Sequence, residues 1–140
     1  MTQINVYLSF NGNCREAMNF YKDCFGGELT IHTFEGSPMA AQMPEAAQQA
    51  VMHASLRKDH LLLLASDGGG MYQGYTKGNT ISISLNCSSD EEITDFFNKL
   101  SVGGTVTMPL ADQFWGAKFG MLTDKYNMDW MLNYDKTPQQ

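Results

Sequence analysis

The chain has 140 residues, 43% of them hydrophobic, with a formal net charge of −6. That length suits one domain, or two small fused modules sharing a core. Its lysines and arginines are scattered with no basic stripe, which argues against nucleic acid and against an anionic membrane surface, since both call for clustered positive charge. No apolar run nears the ~18–20 residues that cross a bilayer. The opening MTQINVYLSF lacks a basic stretch leading into a long apolar core, so no secretory signal is expected and the expected location is cytoplasmic.

Residues 4–10 alternate, with Ile4, Val6, Leu8 and Phe10 on one side and Asn5, Tyr7 and Ser9 on the other, the period of a strand. Asn13, with Glu16 behind it, is placed to cap a helix in a capping-box-like start. Ala17, Met18, Phe20, Tyr21 and Phe25 recur at helical spacing, and Gly26-Gly27 stops the helix. A second strand is predicted over 28–35. The connection 36–49, rich in Pro, Met, Ala and Gln, has room for one helical turn. Strands over 51–57 and 61–66 are joined by a hairpin turn at Lys58-Asp59. The glycine-rich stretch 68–78 reads as a linker, or a lid. A strand follows it, so no helix N-terminus is offered to a phosphate. Residues 80–86 alternate again, Ser89 or Asp90 caps a helix carrying Ile93, Phe96, Phe97 and Leu100, and Gly103-Gly104 ends it. A strand over 106–110 and two more around the 124–127 turn complete the chain. Asp124 is expected to close that turn through its own backbone.

The pattern is an internal repeat. Val6, Leu8 and Phe10 align with Ile81, Ile83 and Leu85, Phe20-Tyr21 with Phe96-Phe97, and Gly26-Gly27 with Gly103-Gly104. Each unit is β-α-β-β-β: a first module over 1–67, the linker 68–78, and a second module over 79–140. One such unit sets a helix on one face of a four-stranded sheet and leaves the other face bare. Two units can cover each other by forming a cupped sheet with a cleft between them. The three cysteines, Cys14, Cys24 and Cys87, form no CxxC pair, and an odd number argues against a disulfide framework.

The stretches YLSFNGNCREAMNFYKDCFGGEL, MHASLRKDHLLLLASD and FWGAKFGMLTDKYNMDWMLN resemble the vicinal-oxygen-chelate superfamily of glyoxalase I, extradiol dioxygenase and bleomycin-resistance folds, and within it the PhnB-like branch. The resemblance covers essentially the whole chain, and its most specific part is the run FWG…FG…TDKY…W. It implies an α+β fold of duplicated β-α-β-β-β modules forming a cupped mixed sheet with a central cleft, and a homodimer. It also implies a divalent ion held by His, Gln or Glu from the first and last strands of each module, where the ion polarises substrate oxygens. The matching positions here are Val6 or Tyr7, the segment 62–64, Thr80 and, counted from Asp124, Met131 in place of a glutamate. Val, Leu and Met offer a hard divalent ion no oxygen or nitrogen, and Thr is a poor ligand. No metal and no cofactor are therefore expected.

His53 alternates with Ser55 on a predicted strand and reads either as a hydrogen-bonded core histidine or as a ligand-binding or proton-transferring group. A metal site built from His53 with Glu35 or His32 has no paired-ligand spacing behind it. His32 reads as a surface residue and His60 as a solvated turn residue. Phe114, Trp115 and Phe119, beside Gly116 and Gly120, read either as core filler at a bulge or as an aromatic wall for a planar or cationic ligand. The cleft candidates are thus Tyr7, Ser9, His53, Trp115, Phe119, Met131 and Asn133, lining a site for a small molecule. Two alternatives stand beside this binding role: a lyase, isomerase or dioxygenase with a relocated metal or His53 as base, and a drug-sequestering module of the resistance type. The methyltransferase label carried by some PhnB-like chains calls for a dinucleotide-style site that this sequence lacks.

Overall fold

The computed structural model describes residues 2–67 and 76–136. Residues 68–75, most of the stretch read as linker or lid, lie outside the described residues. The chain divides into two compact units, Met1–Thr76 and Lys77–Gln140.

The first unit comprises β1 (Val6–Ser9), α1 (Cys14–Phe25), β2 (Glu28–Thr33), β3 (Val51–Lys58) and β4 (Leu61–Ser66). The sheet order is β1-β4-β3-β2, with β1 parallel to β4 and the other pairs antiparallel. The apolar stripe of α1 buries Cys14, Ala17, Met18, Tyr21, Cys24 and Phe25. It meets the sheet face that carries Leu8, Ala54, Leu56, Leu63 and Ala65, all buried. Ala54 and Ala65 are register partners, and their small side chains let the larger residues of the helix come down onto the sheet. Burying a side chain such as Leu56 is worth about 2 kcal/mol. Gly26 and Gly27 end the helix with φ of 79° and 97°. A Cβ at Gly27 would lie 2.6 Å from the Arg57 carbonyl oxygen, so only glycine fits there. The 36–49 connection, which had room for one helical turn, holds two short 3₁₀ turns, Ala40–Gln42 and Glu45–Gln49.

The start of α1 differs from the sequence expectation. Asn13 makes no side-chain cap hydrogen bond. The cap is Asp67, at the far end of the module. One carboxylate oxygen, Oδ1, accepts from the backbone N–H of Cys14 at 2.9 Å and of Gly12 at 3.0 Å, and Oδ2 accepts from Val51 N–H at 2.9 Å. Asp67 is only 5% exposed. Three N–H donors compensate the desolvation of its carboxylate, and they tie the ends of β1, β3 and β4 to the helix.

The second unit comprises β5 (Ile83–Asn86), α2 (Asp90–Leu100), β6 (Thr105–Asp112), β7 (Ala117–Thr123) and β8 (Asp129–Asp135), in the sheet order β5-β8-β7-β6 with β5 parallel to β8. Here the helix cap is local. Ser89 Oγ accepts from Glu92 N–H at 3.0 Å, and Glu92 Oε1 accepts from Ser88 N–H at 3.1 Å. Ile93, Phe97 and Leu100 of α2 are buried, as are Leu122, Trp130 and Leu132 of the strands beneath. A Cβ at Gly120 would sit 2.7 Å from the Phe97 ring and 3.0 Å from Leu110 Cα, so this glycine makes room for Phe97 between two strands. Asp124, 3% exposed, closes its turn as expected: Oδ1 accepts from the N–H of Tyr126 at 2.8 Å and of Met128 at 3.1 Å. Its Oδ2 also accepts from the Trp130 indole N–H at 2.7 Å, which fixes the largest buried side chain of this unit.

Several boundaries differ from expectation. β2 stops at Thr33, β6 runs the longer course Thr105–Asp112, and β3 continues through Lys58, so that the hairpin turns at Asp59, where φ is 52°. The strand expected over 80–86 begins only at Ile83, and Thr80 precedes it. The repeat also shifts. Val6 pairs with Leu63 and Leu8 with Ala65, while Ile83 pairs with Trp130 and Leu85 with Leu132. Phe10 N–H donates to Ser66 O, and Cys87 N–H donates to Asn133 O. Val6, Leu8 and Phe10 therefore correspond to Ile83, Leu85 and Cys87. The sequence alignment is displaced by two residues because a strand of period two matches itself equally well after a two-residue slip.

Replacing Asp67 with alanine leaves three backbone N–H groups without their acceptor, and the first unit should lose roughly 3 kcal/mol. Asp67→Asn, which keeps one carbonyl acceptor, should lose less; urea denaturation of both variants measures the difference, and an unchanged midpoint for Asp67→Ala would refute the assignment. Trp130→Phe removes the donor to Asp124 and should cost about 1–2 kcal/mol, read as a lowered melting temperature. Burial pushes the Cys14 thiol up to about 12, with the charge of Asp67 adding to it, and burial pushes Cys87 up to about 12, with Glu92 adding. Both thiols should resist a thiol-specific reagent at pH 8 in the native state and react once the chain is unfolded.

Candidate functional site

In each unit the helix covers one face of the sheet, and the candidates lie on the other. Along β1, Leu8 points toward α1, so Tyr7 and Ser9 point away from it. Tyr7 pairs in register with Leu64, which pairs with Ser55, which pairs with Thr30, a row across the helix-free face. His53, two residues before Ser55 on β3, shares that face. The Tyr7 hydroxyl lies 3.1 Å from His53 Nδ1, with ring centroids 5.8 Å apart. His53 is half-buried, so the residue expected to be either a core histidine or a functional one is held by a neighbouring phenol on an accessible face. Ser9 pairs with Ser66. His60 is exposed in its turn and His32 is exposed on β2, both as expected.

On β8 of the second unit, Trp130 and Leu132 are buried and face α2, so Asp129, Met131 and Asn133 occupy the helix-free face. Met131 lies between Ser84 of β5 and Met121 of β7, and Asn133 lies between Asn86 and Phe119. The Asn133 side-chain amide donates to Asn86 Oδ1 at 3.3 Å and to Asp135 Oδ1 at 3.1 Å. Trp115 packs edge-on to Phe119 with centroids 6.2 Å apart, and Phe114 packs edge-on to Trp115 at 5.0 Å. Trp115 is 54% exposed and Phe114 is 97% exposed. These two aromatics are therefore not core filler. Met121, Ser84 and Asn86 belong to this face as well and were not among the sequence candidates. Once the register is known, the period of two places them there. Asp129 is fixed by the Thr123 hydroxyl at 2.7 Å and by Lys77 at 2.8 Å. Burial raises its pKa, but the hydrogen bonds from Lys77 and Thr123 outweigh burial and hold the carboxyl below its usual range.

The superposed registers show what each module places at a given point. Tyr7 corresponds to Ser84, Leu64 to Met131 and Ser9 to Asn86. Ala54 pairs with Ala65 and Gly120 pairs with Leu132, so His53 corresponds to Phe119. The position assigned to Thr80 from sequence thus belongs to Ser84. A phenol, two apolar side chains and a hydroxyl stand at the chelating positions that the resemblance implies. This donor set does not fit a hard divalent ion, which takes carboxylates, carbonyls or imidazoles. Among the described residues no group of three or more His, Cys, Asp or Glu side chains is placed to hold a metal ion. No helix of the described residues is long and apolar enough to cross a membrane.

Residues 2–133 match the family described as 3-demethylubiquinone-9 3-methyltransferase. The chain is 30% identical to Protein YjdN of Escherichia coli K12, with 95% of each chain covered. It is 42% identical to the crystal structure of PA1353 from Pseudomonas aeruginosa, covering 96% of this chain and 98% of that one with a TM-score of 0.84. A Bacillus cereus structure described as a putative 3-demethylubiquinone-9 3-methyltransferase, PhnB protein, is 28% identical, with 95% and 99% covered and a TM-score of 0.75. Glyoxalase-related and glyoxalase/bleomycin resistance/dioxygenase structures, at 13% and 11% identity, share the α+β fold. The chain belongs to the 3-demethylubiquinone-9 3-methyltransferase family, the PhnB-like branch of the glyoxalase/bleomycin-resistance fold.

Proposed function

We propose that the protein binds a small, largely apolar or planar molecule against the helix-free face of its second module. The observation that carries this reading is the juxtaposition of Phe119, Met121 and Met131 on that face with a half-exposed Trp115 packed against Phe119. Aromatic faces and thioethers form an adaptable, polarisable wall, and the Asn133 amide beside them can orient a polar group of the ligand. A cationic ligand gains further from the ring faces, which keeps a drug-sequestering role within the same reading. Lewis-acid activation at the chelating positions of the superfamily has no support from Tyr7, Leu64, Ser84 and Met131. The methyltransferase in the family description is not adopted as the activity. The described residues form two four-stranded sheets with one helix each, unlike the doubly wound parallel sheet of dinucleotide-style sites.

A second reading rests on the Tyr7–His53 contact. A histidine whose ring is oriented by a phenol can serve as a general base in a lyase, isomerase or dioxygenase reaction. We also propose a homodimer: β6 is the outer strand of its sheet, and it exposes Val106 and Met108, a surface that a second copy could cover.

Planar aromatic compounds, neutral and cationic, should quench the fluorescence of Trp115, while Trp130 is buried. Trp115→Ala and Met131→Glu should each weaken binding about tenfold, a loss of ~1.4 kcal/mol; unchanged affinity in both would remove the proposed face. His53→Gln should leave that binding intact and abolish any turnover, so binding and base roles separate in one set of variants. Light scattering should give the mass of two chains; a monomer at working concentration rejects the dimer.

A further inference from the structure

We propose that His32 and His53 form a cross-strand site for a transition-metal dication that prefers imidazole, such as Zn²⁺, with Tyr7 positioning His53. The proposal does not depend on the ligand-binding face of the second module. His32 on β2 and His53 on β3 are register partners in an antiparallel pair. Directly opposed residues of such a pair share one face with Cβ atoms about 4.5–5.5 Å apart. Ile31 and Leu29 pair with the buried Ala54 and Leu56, so both imidazoles lie on the side of the sheet away from α1. Two imidazoles at that spacing can reach one ion, with water completing its coordination.

Two details favour a ligand role over a pair of solvated histidines. The Tyr7 hydroxyl sits 3.1 Å from His53 Nδ1. In the tautomer where Nδ1–H donates to the phenol oxygen, Nε2 carries the lone pair that a metal takes, the arrangement by which outer groups orient ligating histidines. The strand register also shifts between His32 and Thr33, a bulge beside the pair, and bulges re-aim side chains at the rims of sites. Glu35 does not join the pair: its Oε2 accepts from Gln49 Nε2 at 2.8 Å, and among the described residues no third His, Cys, Asp or Glu gathers with the two histidines. The pair lies on the second and third strands of the module. The chelating positions implied by the superfamily lie on its first and last strands, so this is a different site.

Calorimetric titration of the untagged chain with Zn²⁺ alone tests the proposal. One ion per chain should bind saturably, and Mg²⁺ should not compete, since it selects oxygen ligands. His32→Gln and His53→Gln should each weaken binding about tenfold or more, while Tyr7→Phe should weaken it roughly tenfold at most. Long-range ¹H–¹⁵N spectra of the imidazoles should show metal on Nε2 of His53. Circular dichroism of each variant guards against loss of fold, and neither histidine is buried. Absence of saturable binding, displacement by Mg²⁺, or Zn²⁺ affinity unchanged in both histidine variants overturns the assignment.

Discussion

A buried carboxylate holds each module together. In the first, Asp67 accepts three backbone N–H groups, from Gly12, Cys14 and Val51. A carboxylate without donors could not stay in that position, and an uncapped helix start there would leave its own N–H groups orphaned. Each therefore satisfies the other. The contact joins residues 53 apart in the chain, so the helix cap forms only when β4 has closed against β1. In the second module Asp124 performs the same closure on a smaller scale, binding its own turn and the Trp130 indole. The two anchors lock a helix start in one module and the turn between β7 and β8 in the other onto their closed sheets.

The modules share a skeleton but not a surface. Matching registers put Tyr7 and Ser84, Leu64 and Met131, and His53 and Phe119 at equivalent points. One helix-free face is built around a phenol and histidines, the other around thioethers and aromatics. The first presents imidazole and phenol groups, the second a polarisable contact surface. Under the helix both modules keep small or apolar residues of different size: Leu63 and Trp130, Ala65 and Leu132, and Ala54 and Gly120 stand at equivalent points. On the other face the equivalent residues differ in chemistry as well as in size.

Much of this was legible in advance. The alternation of Val6, Tyr7 and Leu8 marked a strand and its two faces, and the stripe from Ala17 to Phe25 marked the helix that covers one of them. Tyr7, Ser9, His53, Met131 and Asn133 were each placed on a strand by the same periodicity, and Phe119 was marked by its aromatic neighbours. Asn13 was misread as the helix cap because a capping signature is local, whereas Asp67 reaches the helix only through the closed sheet. Thr80 was misplaced because a slip by any even number of residues leaves a strand's pattern unchanged. Hydrogen bonds between β5 and β8 settle that register.

The sequence by itself determined the repeat, the class of fold and the absence of a hard-ion ligand set at the superfamily's chelating positions, because these depend on residue type and spacing along the chain. It also showed that Asp129, Met131 and Asn133 share one side of their strand. Tertiary structure decided which side that was: Trp130 and Leu132 go under α2, and Met131 is left on the open face. It decided too that His32 is the register partner of His53 and that the Tyr7 hydroxyl lies against His53. Such neighbours come from strand pairing, and strand pairing is a property of the closed sheet that no local run of residues contains.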